Sequence, residues 1–323
     1  MASLAEIRAR LQEQDTKTGK SGGGDSAIYP FWNIPEGTTA TIRFLPDNDP
    51  TNTFFWLERQ MIRLPFPGIK GGDEGRAIAV QVPCVEMWGD SCPVLTEVRP
   101  WFKDKSLEDL GRRYWKKRSY IFQGFVVNNP LNEETVPENP IRRFIINTSI
   151  FNIIKTALMD PEMENIPTDF TNGTDFRLVK TTKGQYADYS TSNWARKERG
   201  LNEQELEAVQ KHGLFNLNDF MPKKPNQDEL GLIKEMFEAS VNGELFNQDR
   251  WGAFYRTGGG GNSPARSVVS DVDDEPTAAR PAPAGRPAPA PAAAAPAEAP
   301  KEEGKKANVD DILKMIRERK TQS

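Results

Sequence analysis

The feature that most limits what this chain can fold into is the collapse of its composition after Arg256 and Thr257, into Gly258 to Gly261 and then a Pro/Ala tract reaching Pro300. Such a tract cannot bury enough apolar surface to offset the entropy of ordering it. It is expected to be a disordered linker over 257–307, partly extended by its prolines. Of 323 residues, one core over 25–256 remains, ample for a hydrophobic interior. At the other end, Leu4, Ile7 and Leu11 recur at helical spacing after Ser3, with Arg8 and Arg10 among them. Residues 1–24 read as a flexible N-terminal arm joined to the core through the Gly/Lys/Ser-rich stretch from Thr16 to Ser26.

Within the core the apolar runs are short and end at turn residues. Ala40 to Leu45 stops at Pro46-Asp47-Asn48-Asp49-Pro50, Thr53 to Leu64 stops at Pro65, and Ala77 to Val82 follows a glycine-rich turn. Ser119 to Val127 is the most strand-like run of all. Helical periodicity marks Ile150 to Leu158, Glu203 to Lys211 and Asp228 to Ala239. The expected class is α+β: a barrel or sandwich of short strands with helical insertions. Beyond the linker, Asn308 can cap a helix over 308–323 that aligns Val309, Ile312, Leu313 and Ile316 on one face, as a partner-docking peptide would.

Composition excludes several classes. Only Cys84 and Cys92 are present, too few for a disulfide framework and in keeping with a reducing cytoplasm. No apolar stretch of about 18 residues could span a membrane, and the start lacks a secretory h-region. Gly19-Lys20-Ser21-Gly22-Gly23 mimics the end of a phosphate-binding loop, but that motif needs glycine where Gln14 stands. His212 is the only histidine, and the carboxylates show no catalytic spacing, so no enzyme is expected. The formal net charge of -4 decides nothing, because a phosphate backbone responds to local potential.

That local charge is concentrated in Arg112-Arg113-Tyr114-Trp115-Lys116-Lys117-Arg118-Ser119-Tyr120-Ile121-Phe122, where cations and rings interleave. On a regular strand Tyr114, Lys116, Arg118, Tyr120 and Phe122 would share one face, offering cations to phosphates and flat rings to bases. Arg142 and Arg143 before Phe144 form a second such cluster, and Lys180, Lys183, Tyr186, Tyr189 and Trp194 a third. Stacking is indifferent to base identity, so the expected activity is sequence-tolerant binding of a single strand. Single-stranded RNA binding or RNA chaperoning shares this groove and is the alternative.

Five short anchors in order then resemble a known family, the helix-destabilising single-stranded DNA-binding protein encoded by gene 32 of T-even-type bacteriophages. They are Ser3-Leu4-Ala5-Glu6, Ile42-Arg43-Phe44-Leu45-Pro46, Asp90-Ser91-Cys92-Pro93-Val94, Lys116 to Val127, and Tyr186-Ala187-Asp188-Tyr189. The resemblance implies an antiparallel β-barrel core of the OB-fold type. It implies protection of single-stranded DNA in phage replication, recombination and repair, with self-association along the strand through the arm. It also implies recruitment of replication and recombination proteins through the tail, in the cytoplasm of the infected bacterial host. The family's zinc site takes one His and three Cys; here Leu95 stands where the last Cys would, and His212 lies far off. No metal or other cofactor is therefore expected, and Trp88 is a candidate to hold that loop by packing instead.

Overall fold

The computed structural model describes residues 27–72, 75–133, 136–184 and 186–255. The expected arm, linker and docking helix, with Arg8, Arg10, Val309, Ile312, Leu313 and Ile316, lie outside them. The strands are β1 (Thr39–Leu45), β2 (Leu57–Phe66), β3 (Ile78–Pro83), β4 (Lys117–Asn128), β5 (Arg142–Asn147), β6 (Gly173–Val179), β7 (Thr181–Lys183), β8 (Tyr186–Asp188) and β9 (Asn193–Arg199). The α-helices are α1 (Pro93–Val98), α2 (Glu108–Tyr114), α3 (Thr148–Leu158), α4 (Glu203–His212), α5 (Gln227–Val241) and α6 (Gln248–Trp251). The α+β class follows directly, and the runs singled out at 40–45, 77–82, 119–127, 150–158, 203–211 and 228–239 fall on β1, β3, β4, α3, α4 and α5.

All strands pair antiparallel, in a seven-stranded sheet of order β3-β2-β4-β1-β6-β9 with β5 beside β4, and a separate β7-β8 hairpin. The long β4 organises it. Its first half pairs with β2 through Lys117 to Ile121, its second half pairs with β1 through Gln123 to Asn128, and β5 takes the opposite edge from Ser119 to Gly124. Gly124 is required where β1 crosses, since a Cβ there would lie 2.2 Å from the Arg43 carbonyl oxygen. Among the described residues no ladder joins β9 to β3 or β5.

Two main cores lie along this sheet. The first packs the far half of β2 (Ile62, Leu64, Phe66) and β3 against α1, α2 and α5. The second packs Ile42, Phe44, Tyr120, Phe122, Phe144, Phe176 and Leu178 against Ile150, Phe151 and Ile154 of α3. A small third cluster places Leu45, Phe125 and Ile141 under Ala208 of α4. The helices start where asparagine caps them: Asn147 for α3, and Asn202 and Asn226 in full capping boxes for α4 and α5. No helix among the described residues is long and apolar enough to cross a membrane.

Candidate nucleic-acid interface

The basic-aromatic run does not form one strand face. Glu108 to Tyr114 is helical, and the strand begins only at Lys117. Tyr114 and Lys116 are therefore not in register with Arg118, Tyr120 and Phe122, a correction to the sequence reading. Tyr114 points into the first core, edge-on to Trp101 and Phe237, with Oη 3.0 Å from Ser240 Oγ. Ser240 in turn donates to the Pro65 carbonyl. Trp115 is half-buried against Phe102. Lys116 pairs with Glu86 at 2.7 Å, and Arg112 with Glu108 at 2.7 Å on the exposed side of α2, where Arg113 is exposed as well.

Along β4 the face that carries Arg118, Tyr120 and Phe122 runs from solvent into the core. Arg118 keeps 52% of its side chain exposed and lies 3.6 Å from Glu58. Tyr120 is buried, its ring stacked on Phe151 at 3.5 Å and 9°. Burial, followed by the charge of Glu58, pushes its hydroxyl up to about 12. Phe122 is fully enclosed, 4.8 Å from Phe44 and stacked on Trp56 at 5.8 Å. Neither Phe122 nor Tyr114 offers a free ring face to a base, and Tyr120 has one face covered.

The second cluster is structural. Arg142 forks onto both oxygens of Glu133 at 2.8 and 3.0 Å and lies over the Tyr29 ring. Arg143 sits 3.6 Å from the centre of the Phe220 ring, with Phe215 beside it, on the opposite face of β5. Both arginines are buried, so they are corrected out of any open groove. The third cluster divides. Tyr189 is buried edge-on to Phe31, and Lys180 donates from Nζ to the Trp32 carbonyl at 2.6 Å. Lys183 and Tyr186 face each other across the β7-β8 hairpin, both exposed, Tyr186 by 53%. Trp194, half-buried on β9, reaches Phe44 at 6.0 Å and Phe176 at 5.1 Å. Its enclosed indole Nε1 finds no partner among the described residues.

Phe44 is thus where the first and third clusters meet, since Phe122 and Trp194 both contact it. The sequence reading missed the rings that reach solvent beside them. Phe54 is 58% exposed and lies 4.8 Å from Trp56, which touches Phe122 and Phe151. The signal was available in Phe54-Phe55-Trp56, because three successive rings cannot all point inward. Exposed Arg196 and Lys197 on the edge strand β9 were missed too.

Cys84 and Cys92 are buried together, thiol to thiol. Cys92 is drawn down by the hydrogen bond from Cys84 and by backbone N–H groups at the start of α1, while Cys84 is pushed up. Among the described residues no third His, Cys, Asp or Glu joins them as a ligand set. Two thiols do not fit a structural zinc, which takes four ligands. Trp88 packs against the first core beside this pair, and His212 ends α4. Comparison with known proteins finds no family model that matches the chain and no matching curated sequence.

Proposed function

We propose that this protein binds single-stranded DNA with little regard to sequence, on a rim of exposed rings and cations at the open end of the second core. The observation that carries this reading is the succession Phe54, Trp56, Phe122, Tyr120 and Arg118. Phe54 faces solvent there and, with half-buried Trp56, rests on an enclosed aromatic core, while a cation emerges from the strand face that carries Tyr120 and Phe122. Bases can stack on rings at about 1–3 kcal/mol each, while phosphates take cations. Of the residues proposed from sequence, Arg112, Arg113, Lys117, Arg118, Lys183 and Tyr186 are exposed, and Arg118 is the cation on the Tyr120 face of β4.

The antiparallel sheet is read here as an OB-type barrel, supported by α3, which lies between β5 and β6 in sequence and touches β4, β5 and β9. Coating of displaced strands in phage replication, recombination and repair, with cooperativity and partner recruitment by the terminal segments, is what the family resemblance adds. Tryptophan-fluorescence titration with oligothymidylate, duplex DNA and oligouridylate at several salt concentrations tests the proposal. Single strands should bind best, with a steep salt slope. Phe54→Ala should weaken that binding by about 1–3 kcal/mol without altering the fold. Equal weak binding to all three, untouched by the substitution, refutes the reading, and tighter binding of oligouridylate moves it to RNA.

A further inference from the structure

Arg59 stands in β2 directly opposite Ser119 of β4 and is only 8% exposed. Its Nε donates to Ser119 Oγ at 3.0 Å. That is its one side-chain hydrogen bond among the described residues, and no carboxylate there pairs with it. A guanidinium carries five N–H donors, so most of this group's capacity is unused. Burial alone pushes it down to about 10.

An uncompensated cation inside a fold costs several kcal/mol, which neighbouring sites in this protein avoid. Arg43 has Asp175, Arg142 has Glu133, and Arg143 has two ring faces. A snorkelling arginine would bury its stem and leave its head in water, but here the head itself is largely desolvated. Among the described residues the enclosed polar atoms without a partner are Arg43 Nε, Gln60 Oε1, Arg142 Nε, Arg143 Nε and Trp194 Nε1. The Nη nitrogens of Arg59 are not among them, so the tip of the guanidinium still meets solvent.

The surroundings are cationic. Strand alternation places Arg63 along the same face of β2, and Lys117 stands across from Met61, two pairs along from Arg59 and Ser119. Arg118, paired with Gln60, leaves the opposite face of the sheet, where it lies 3.6 Å from Glu58.

We infer that Arg59 is an anion site whose missing counter-charge is a phosphate, and that in the working protein this is one phosphodiester of the bound strand, gripped by the Nη groups while Ser119 fixes Nε. The inference rests on the single-strand reading above and adds to it a specific backbone contact on β2, separate from the stacking rim at Phe54 and Trp56. A preorganised guanidinium suits this role, because its planar fork matches two phosphate oxygens and its orientation is already held.

The test compares the full chain with Arg59→Met using two probes, oligothymidylate and inorganic pyrophosphate. In the DNA titration, Arg59→Met should lower the slope of log affinity against log salt by about 0.7, the share of one single-strand phosphate contact. Affinity at low salt should fall roughly tenfold or more, as loss of a charge-assisted hydrogen bond predicts. In the second arm, melting with pyrophosphate is compared with sodium chloride at equal ionic strength. A rise in melting temperature for the wild type and none for the variant shows that a free anion also occupies the site. It supports the site even if the wild type fails to bind DNA, in which case only the single-strand reading falls. A changed DNA slope with no pyrophosphate effect assigns the phosphate to the strand alone. An unchanged slope together with the same pyrophosphate response in both proteins overturns the inference, whatever happens to affinity. If Arg59→Met does not fold, Arg59→Gln, which keeps a donor for Ser119 without the charge, gives the same readouts.

Discussion

Arg43 and Arg59 are buried on two strands that pair with the same β4, and the protein treats them in opposite ways. Around Arg43 every charge is answered. Nη1 donates to Asp175 at 3.1 Å, and Nη2 to the Asp169 and Arg199 carbonyls at 3.0 and 2.6 Å. Asp175 accepts from Arg199 at 2.7 Å, and Arg199 forks onto Glu205 of α4. Gly173 leaves the space for this, since a Cβ there would come within 2.5 Å of Arg43 Nη2. Around Arg59 the described residues place one hydroxyl, that of Ser119. The first arrangement ties β1, β6, β9 and α4 together, and the second leaves a cation to which the described residues supply no carboxylate.

The largest effect expected from this contrast is on removing the compensated arginine. Arg43→Met takes a donor from Asp175 Oδ1 and from two interior carbonyls, leaving Arg199 as the remaining partner of Asp175, and should cost about 3–5 kcal/mol of unfolding free energy in urea. A loss below about 1 kcal/mol would erase the distinction between the two sites.

Next in size is the carboxylate end of the same network. Burial works to raise Glu205, but the Arg199 fork and the Asn202 backbone N–H outweigh it, so the carboxyl lies below its ordinary value. Glu133, held chiefly by its hydrogen bonds from Arg142, is lowered as well. A carboxyl lowered in the folded state binds its proton more readily when unfolded. The stability it contributes is therefore complete above the unfolded value of roughly 4.3 and is lost as pH falls through the folded one. Glu205→Gln should cost about 1.5–3 kcal/mol at neutral pH. It should also flatten the acid limb of a stability profile measured from neutrality downward, and a limb as steep as that of the wild type would show that Glu205 carries none of it.

How far the sequence could reveal these sites follows from what each signal depends on. The helices α3, α4 and α5 announce themselves through a local 3.6-residue period and asparagine caps. Strand β4 is visible as a strand, but its faces are not. Lying centrally, it buries Phe122, Gln123 and Gly124 in succession, so alternation carries no record of which side is wet. Gln123 is satisfied by the Pro46 and Phe215 carbonyls, far away in sequence. The same distance hides the role of Arg143, whose partner Phe220 only the fold brings near, whereas Arg142 finds Glu133 nine residues away across a loop. Arg59 is silent for a further reason, since the informative fact about it is a partner that the described chain does not supply.

The smallest effect, and the one of opposite sign, is expected on removing the uncompensated arginine. The methionine side chain in Arg59→Met would fill much of the same volume without a charge to desolvate, while Ser119 can turn its hydroxyl elsewhere. Without DNA, the substitution should thus leave stability unchanged or raise it by about 1 kcal/mol, because replacing a buried charge by a packed apolar group is often neutral or favourable. Urea unfolding of the variant beside Arg43→Met makes the comparison direct. If Arg59→Met loses as much as Arg43→Met, Arg59 is held by interactions of the same structural kind, and its lack of a counter-ion says nothing about a ligand. If it gains, the fold is carrying a destabilising cation that only binding can use, which is the usual mark of a functional group set against stability.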